Sequence, residues 1–163
     1  MTNMDNKLYL VPAPLGDYEP GTVIPAPVLE RLREIRTFVV EELRTARRYL
    51  SQAGLKGHIA ELEFHELNEH SDQASVEALA ELFERGDVAM ISEAGLPAVA
   101  DPGAKLVALC HRHGIRVVPL VGPSSMMLAL MGSGLNGQNF EFCGYLPAKT
   151  GERRSGRKDI GKI

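Results

Sequence analysis

The sequence predicts an α/β fold with a five-stranded, mostly parallel sheet and helices on both of its faces. Three observations lead to this prediction. Five short apolar runs alternate with segments whose apolar residues recur at helical spacing, an order typical of parallel sheets. The run at residues 88–91 is apolar without alternation, as in strands that are buried on both faces. Finally, 163 residues, of which 44% are apolar, are enough for one domain with a core.

The first half of the chain supplies two strands and two helices. Residues 8–11 form a short apolar strand, and the prolines and glycine of the PAPLGD sequence then make a rigid loop. Residues 27–35 repeat apolar side chains at helical spacing behind an initial proline. Residues 37–40 are the second strand, and residues 44–53 form a helix that Gly54 ends.

Three more strands follow, with helices between them. Residues 61–67 alternate weakly and predict the third strand, and residues 73–85 form a clear amphipathic helix. Residues 88–91 are the central strand. A helix over residues 105–113 and a fifth strand over residues 115–121 complete the predicted sheet.

The C-terminal part of the chain has a different character. Residues 126–131 predict a helix that is apolar on every side and therefore buried. Residues 134–147 indicate a turn and then a strand of a further unit, whereas residues 149–163 show no apolar periodicity. We therefore expect a parallel α/β domain in residues 1–134. Residues 135–163 are expected to be a linker and the start of a truncated second domain with a basic tail.

Charge is unevenly distributed along the sequence. Twelve basic and nineteen acidic side chains give residues 1–148 a net charge of −7, whereas residues 149–163 carry +4. An acidic body binds nucleic acid poorly without help, because neutralisation of phosphates supplies most of that affinity. An RNA partner would therefore have to bind at a local basic patch.

Composition also bears on the cellular setting. No apolar run approaches the roughly 20 residues of a membrane span, so no membrane partner is expected. The N-terminal residues lack the pattern of a secretory signal. The two cysteines have no metal-type or redox spacing, which favours a reducing, cytoplasmic setting.

Two loops at predicted strand ends are candidate ligand sites. Residues 92–103 hold two glycines, two prolines and two carboxylates, and the loop is longer than the two to six residues of a connector. Open α/β sheets bind ligands at the carboxyl ends of their strands. Residues 122–125, GPSS, place a helix N-terminus where it would favour an anionic group. The alternatives are an ordered loop that only packs, and serines that only cap the helix.

Several common chemistries lack their motifs in this sequence. It has no G-x-G-x-x-G, no G-x-x-x-x-G-K-[ST] and no G-x-S-x-G. The histidines are scattered without H-E-x-x-H spacing, so no metal site is predicted. Arg44, Arg47 and Arg48 lie three and four residues apart on one helical face. Such a face is either simply solvated or a contact surface for phosphates.

A further prediction comes from five segments and a later one: LYLVPAPLGD, VEELRTARRYLS, FHELNEH, VAMISEAGLPAVADPG, VPLVGPSSMMLALMGSGL and GYLPAKTGERR. They resemble the tetrapyrrole methylase superfamily of S-adenosyl-L-methionine (SAM)-dependent methyltransferases. Within it they resemble the branch that includes the small-subunit ribosomal RNA cytidine 2′-O-methyltransferases. The segments cover most of residues 7–154, and E-A-G-x-P-x-x-x-D-P-G followed at the correct distance by G-P-S-S is highly specific.

The resemblance implies the parallel N-terminal domain of that superfamily, SAM as the cofactor, and roles for individual residues. The implied cofactor-binding residues are Pro12, Ser92, Glu93, Ala94, Gly95, Asp101, Gly122, Pro123, Ser124 and Ser125, with Pro14 in the neighbouring wall. The candidates on the substrate side are Glu42 and Arg44 for catalysis, and Arg47, Arg48, His65, Glu66 and Asn68 for binding. We also expect Gly95 and Gly122 to let the backbone approach the cofactor closely.

The resemblance also implies a reaction. Methyl transfer from a sulfonium needs no metal, whereas a hydroxyl acceptor needs a base. Glu42 is the candidate base, or else it orients Arg44. The implied activity is ribose 2′-O-methylation of ribosomal RNA, and we further expect a homodimer. A small-molecule methylase and a catalytically inactive SAM-binding fragment are the alternatives.

Two departures from the branch leave the acceptor open. Its ribosomal RNA enzymes usually show A-E-D-T-R where this chain has VEELR at residues 40–44. They usually show S-D-A-G-T-P where this chain has SEAGLP at residues 92–97. Each change from Asp to Glu lengthens a carboxylate side chain by one methylene group.

Overall fold

A computed structural model describes residues 5–100 and 102–145, and these residues confirm the α/β prediction. Five strands form one sheet in the order β3-β2-β4-β1-β5, and every pairing between them is parallel rather than mostly so. The strands are β1 (Lys7–Leu10), β2 (Thr37–Val40), β3 (Glu63–Glu66), β4 (Val88–Ile91) and β5 (Arg116–Pro119).

Helices connect the strands and cover both faces of the sheet. In the described residues the α-helices are α1 (Pro20–Val23), α2 (Ala26–Glu34), α3 (Leu43–Leu50), α4 (Gln73–Ala78), α5 (Gly103–Arg112) and α6 (Ser125–Ser133). Shorter helical turns are π-helical at Ser51–Leu55 and 3-10 at Ile59–Glu61 and Leu79–Glu84. Of these elements, α1 and the turn at Ile59–Glu61 have no counterpart in the sequence prediction, since each is only one turn long.

Strand β4 lies in the middle of the sheet, as its continuous apolar sequence predicts. Val88 pairs with Leu8 of β1 on one side and with Thr37 of β2 on the other. All four residues of β4 are buried. A central parallel strand has helices over both faces, so neither set of alternating side chains can be polar.

Two apolar clusters form the core, one on each face of the sheet. Neighbouring residues of β2 belong to different clusters: Phe38 packs with α2 and α3, whereas Val39 packs with α4 and α5. Fully buried side chains such as Leu32 and Phe83 anchor the covering helices. Burial of a side chain of this size contributes about 1.5–3 kcal/mol. The sheet edge that carries the loops is therefore a rigid platform.

The predicted helix over residues 44–53 ends irregularly, and its regular backbone stops at Gly54 as predicted. After α3 the π-helical turn runs to Leu55, and Gly54 has φ 108°. A Cβ at Gly54 would lie 2.7 Å from Nε of Arg33, which donates to the Ala53 carbonyl at 2.7 Å. The predicted helix over residues 73–85 likewise changes type, from α4 to 3-10 turns after Ala78.

Two predictions for the C-terminal residues are wrong. Helix α6 forms, but none of its residues is buried: Leu128 is 53% and Met131 79% exposed. A helix that is apolar all round needs apolar neighbours on every side, and the described residues do not supply them. The strand expected after residue 134 is also absent from residues 134–145. A strand requires a neighbour for its backbone groups, and within the described part of the chain no strand pairs with these residues.

The chain divides into two compact units, Met1–Leu128 and Ala129–Ile163. The first unit contains the whole sheet. In the second, the rings of Phe142 and Tyr145 pack edge to face with centroids 5.7 Å apart. The predicted domain boundary after residue 134 stays a prediction, and the basic tail at residues 149–163 lies outside the described residues. In the part that is described, no helix is both long enough and apolar enough to span a membrane.

Candidate active site

Three loops meet at the carboxyl edge of the sheet: the β1 loop (residues 11–18), the β4 loop (residues 92–102) and the β5 loop (residues 120–124). Ala13 and Gly95 exchange two backbone hydrogen bonds, from Ala13 N to Gly95 O at 2.9 Å and from Gly95 N to Ala13 O at 3.0 Å. The buried hydroxyl of Tyr49 donates to the Pro12 carbonyl at 2.8 Å, which ties the β1 loop to α3. The structure thus brings the loops that hold the predicted cofactor residues to one edge of the sheet, whereas their binding of a cofactor stays a prediction.

Two glycines allow the loops to approach one another. Gly95 has φ +68°, and a Cβ added there would lie 3.0 Å from Cδ2 of Leu15 and 3.4 Å from the Pro123 carbonyl oxygen. A Cβ on Gly122 would lie 2.1 Å from Cβ of Pro12. The expected reason for both glycines was close approach to a ligand. The structure gives a different reason, because the nearest atoms belong to neighbouring loops of the protein.

The start of the β4 loop is held by short local bonds. Ser92 is buried, and its hydroxyl donates to the Ala94 carbonyl at 3.2 Å. The backbone N–H of Glu93 donates to Oε2 of Glu41 at 3.0 Å, which links the ends of β4 and β2. Further along, Ala98 has φ 63°, a left-handed conformation that costs a residue with a Cβ about 1–2 kcal/mol. Asp101, the remaining predicted cofactor residue of this loop, lies outside the described residues.

Ser124 lies at the N-terminus of α6. The Leu128 N–H donates to the Ser124 carbonyl at 3.0 Å, and the Met127 N–H approaches the Ser124 hydroxyl at 3.4 Å. This is the capping arrangement that the sequence offered as the alternative to a ligand contact. Ser125 begins the helix itself. A role for either hydroxyl in cofactor binding stays a prediction.

Glu42 caps helix α3. Its carboxylate accepts hydrogen bonds from the Arg44 N–H at 2.9 Å, the Thr45 N–H at 2.6 Å and the Thr45 hydroxyl at 2.6 Å. These bonds lower the pKa of Glu42 below its ordinary value, and the bond from the Thr45 hydroxyl is the largest cause. Oε1 of Glu66 accepts from the Leu43 N–H at 3.3 Å. Because a low pKa weakens a general base, this geometry favours helix capping over proton abstraction, and the predicted orienting of Arg44 by Glu42 stays a prediction.

The three arginines of α3 are all exposed, but their side chains diverge. The guanidinium carbon of Arg47 lies 5.4 Å from the ring centroid of Phe64 on strand β3, at cation–π distance. Arg48 instead lines a cleft beside the β1 loop. The side chains of Arg47 and Arg48 therefore point in different directions from the helix, rather than along the single face that the sequence predicts.

The predicted substrate residues of the third segment are only partly brought together. Nε2 of His65 lies 2.8 Å from Oε1 of Glu63, which also accepts from Arg85 at 2.9 Å. The bond with His65 is the largest cause that lowers the pKa of Glu63. His65 and Glu66 line a hollow with Arg85, whereas Asn68 lines a different hollow together with Glu42 and Glu93.

A shallow, solvent-open cleft lies between the β1 loop and α3. We call it the Tyr18 cleft; it is lined by Asp17 and Tyr18 of the β1 loop, by Arg48, Tyr49 and Gln52, and by Ser92 and Glu93. Of these, Asp17, Tyr18, Tyr49 and Gln52 were not predicted as site residues. Tyr49 and Gln52 follow Arg48 by one and four residues, so helical spacing alone could have placed them on the same side of α3 as Arg48.

Comparison with known proteins identifies the family. The family model for Tetrapyrrole (Corrin/Porphyrin) Methylases matches residues 7–161. Among curated proteins, the chain is similar to "Ribosomal RNA small subunit methyltransferase I" of Haemophilus influenzae, with 34% identity over 163 residues, 99% of this chain and 55% of that protein. The protein of the same name from Escherichia coli O157:H7 is 36% identical over 159 residues, covering 97% and 53% of the two chains.

A third relative, from Mesorhizobium japonicum and of the same name, is 38% identical over 150 residues, 92% of this chain and 49% of the relative. The chain thus spans about half the length of the curated relatives it matches. The matches confirm the resemblance that the sequence motifs predict, and they agree with the observed parallel sheet and its loops. This chain belongs to the tetrapyrrole (corrin/porphyrin) methylase family.

Proposed function

We propose that this chain supplies the cofactor-binding part of a SAM-dependent methyltransferase that methylates a ribose 2′-hydroxyl of small-subunit ribosomal RNA. The observation that carries the proposal is the junction of three loops at the carboxyl edge of the sheet, held by the Ala13–Gly95 pair and the contact of Gly122 with Pro12. Ligands of open α/β sheets bind at this edge. The family supports methyl transfer, and the names of the relatives support ribosomal RNA as the acceptor.

The residues at the loop junction fit the chemistry of SAM. The N-terminus of α6, with Ser124 and Ser125, suits a carboxylate. Glu93 offers negative charge to an ammonium group. An apolar groove beside the β4 loop, lined by Leu96, Ala98 and Leu120 among others, suits the flat face of an adenosine. When bound, SAM supplies an electrophilic methyl group on its sulfonium.

The protein's own contribution is to position the acceptor. Glu42 fixes the first turn of α3, so the exposed Arg44 and Arg48 project from a helix whose N-terminus cannot fray. A role as base would require Glu42 to release the Thr45 hydroxyl. The arginines offer contacts for phosphates, which position RNA without reading its sequence. They supply the local basic patch that an acidic chain needs for RNA binding.

A small-molecule acceptor is the second candidate. It is favoured by the hollow between Glu41, Glu42 and Glu93, because carboxylates around it repel phosphates. The inactive fragment remains the third alternative. With RNA as the acceptor, we also propose a cytoplasmic setting. We propose a homodimer because the exposed apolar side chains of α6, Leu128 and Met131, require cover.

Transfer of tritium from labelled SAM to isolated small ribosomal subunits tests the proposal. We expect label in the RNA, recovered as alkali-resistant dinucleotides, because a 2′-O-methyl group blocks hydrolysis of the adjacent phosphodiester. Large subunits are the matched control and should take up no label. Label in a tetrapyrrole but not in RNA would replace the RNA acceptor with the small-molecule one. If no acceptor takes up label although SAM still binds, the remaining explanation is that the chain is a catalytically inactive, SAM-binding fragment.

A further inference from the structure

One helical face forms a wall of the Tyr18 cleft. Thr45, Arg48, Tyr49 and Gln52 line the cleft at spacings of three, one and three residues, which places them on the same side of α3 and its π-helical extension. The hydroxyl of Tyr49 donates its hydrogen to the Pro12 carbonyl, so this side chain is a fixed part of the wall. Arg48 and Gln52 are exposed and face the cleft without such a structural bond in the described contacts.

Tyr18 of the β1 loop also lines the cleft. Its backbone N–H donates to the Gly16 carbonyl at 2.8 Å, which folds the β1 loop back on itself. The ring rests against Gly16, where an added Cβ would lie 3.1 Å from Cε2, yet Tyr18 is 55% exposed. The core does not require this aromatic side chain. An exposed aromatic ring in a cleft, supported on one side by the backbone, offers a flat surface to a flat ligand.

The polar groups of the cleft restrict the occupant. Asp17 and Glu93 are both acidic, so an anionic group inside the cleft would be repelled. Arg48 is the one cation among the lining residues and can hold a phosphate at the rim. Gln52 presents a donor and an acceptor on one amide, which matches the edge of a nucleobase. An uncharged base with its phosphate outside satisfies all of these groups, whereas a macrocycle bearing carboxylates does not.

The cleft is shallow and open to solvent, so a base that stacks on the exposed ring of Tyr18 would lie at its mouth rather than inside an enclosed cavity. Its lining includes Ser92 and Glu93, the first residues of the β4 loop, so a ligand in the cleft would border the proposed cofactor site. Sequence-specific proteins bind single-stranded RNA by stacking splayed bases on aromatic side chains and bonding to their edges.

We propose that the Tyr18 cleft receives the acceptor nucleoside of a single-stranded RNA segment: its base stacks on Tyr18, its edge bonds to Gln52, and the flanking phosphate pairs with Arg48. The proposal rests on the proposed RNA methyltransferase function and names the substrate contact of that site. It makes Tyr18 and Gln52 substrate-binding residues, and it gives Arg48 a role different from that of Arg47, which lies over Phe64.

Fluorescence titration of the chain with a single-stranded RNA trinucleotide, carrying a fluorescent cytidine analogue in the middle, tests this contact. Stacking on Tyr18 should quench the analogue. Tyr18→Ala should weaken binding roughly 5- to 150-fold, the range measured when an aromatic stacking partner of a base is removed. Tyr18→Phe keeps the ring and is the matched control, with binding within about twofold of the parent chain. Gln52→Ala should weaken binding while leaving the quenching of the bound analogue intact.

Equal affinity in Tyr18→Ala and the parent would overturn the proposal. So would a loss in Tyr18→Phe as large as that in Tyr18→Ala, because the hydroxyl rather than the ring would then make the contact. Absence of trinucleotide binding by the parent chain would overturn it as well. Calorimetric binding of S-adenosylhomocysteine by the same variants separates this result from the proposed function. Intact cofactor binding without RNA binding removes the nucleoside cleft but leaves the cofactor site.

Discussion

Gly122 lies directly against Pro12: a Cβ added to Gly122 would be 2.1 Å from Cβ and 2.3 Å from Cγ of the proline ring. The ring cannot rotate away as a flexible side chain would. The contact therefore fixes the distance between the β1 loop and the β5 loop. The same edge of the sheet holds the Ala13–Gly95 pair, so the geometry of the proposed cofactor site depends on the packing of these loops.

Gly122→Ala should destabilise the protein by about 1–3 kcal/mol, the usual cost of an added group that a packed site cannot accommodate. Gly86→Ala is the matched control, because nothing lies within 4 Å of a Cβ at Gly86. The measurement is urea unfolding followed by circular dichroism. Equal midpoints for the two variants would show that the loops can separate without cost, contrary to the observed contact.

Gly95→Ala and Gly114→Ala form a pair with the same backbone conformation. Both glycines have φ +68°, so alanine at either position should cost about 1–2 kcal/mol for left-handed backbone. Only Gly95 has neighbours, with Leu15 at 3.0 Å and the Pro123 carbonyl at 3.4 Å from an added Cβ. We expect the larger loss of unfolding free energy in Gly95→Ala. A larger loss in Gly114→Ala would contradict the loop packing described here.

Glu42→Gln should destabilise the protein in a way that depends on pH. The folded-state pKa of Glu42 lies below its ordinary value of 4.5, because the ionised carboxylate accepts bonds from Thr45 and Arg44. The stabilisation is therefore complete above about pH 4.5 and is lost as the pH falls through the lowered folded-state value. Thermal unfolding at a series of pH values measures it.

The difference in melting temperature between the parent and Glu42→Gln should be constant near neutrality and shrink below pH 4.5. Glu30→Gln, an exposed position on α2, is the control and should show no such trend. A difference that grows as the pH falls would exclude the capping role. If RNA methylation is detected, a fall in kcat much greater than the loss of stability would restore Glu42 as a candidate base.

Arg48→Gln should reduce the salt dependence of RNA binding. Each phosphate contact with single-stranded RNA contributes a slope of about 0.7 to the logarithm of the affinity against the logarithm of salt concentration. The measurement is fluorescence anisotropy of a labelled RNA at several salt concentrations. Arg116→Gln, at an exposed position on edge strand β5, is the control and should keep the parent slope. An unchanged slope in Arg48→Gln would remove Arg48 from the phosphate contacts.

The parallel sheet could be predicted from the sequence because the patterns that indicate it are local. The continuous apolar run at Val88–Ile91 and the alternation of strands and helices need no knowledge of distant contacts. The same local pattern gave the wrong burial for α6, because burial depends on what a helix packs against. Its apolar residues, such as Leu128, are exposed in the described chain.

The candidate site was likewise only partly predictable from the sequence. Motifs located the β4 and β5 loops, but the contact between Gly122 and Pro12 joins residues 110 positions apart, and no spacing rule reveals it. Tyr18 was missed because a single aromatic residue in a loop has no periodicity. Only the folded chain shows that Tyr18 lines the same cleft as Gln52.

Titration calorimetry with S-adenosylhomocysteine tests the central claim most directly, that the junction of the three loops is a cofactor site. We expect binding to the parent chain with a dissociation constant above about 1 µM, because an open site buries less of a ligand than an enclosed one. Gly122→Val should lose this binding while its circular dichroism stays native, and Gly86→Ala should keep it. Submicromolar binding, or an unchanged dissociation constant in Gly122→Val with native circular dichroism, would place the cofactor elsewhere and contradict the account.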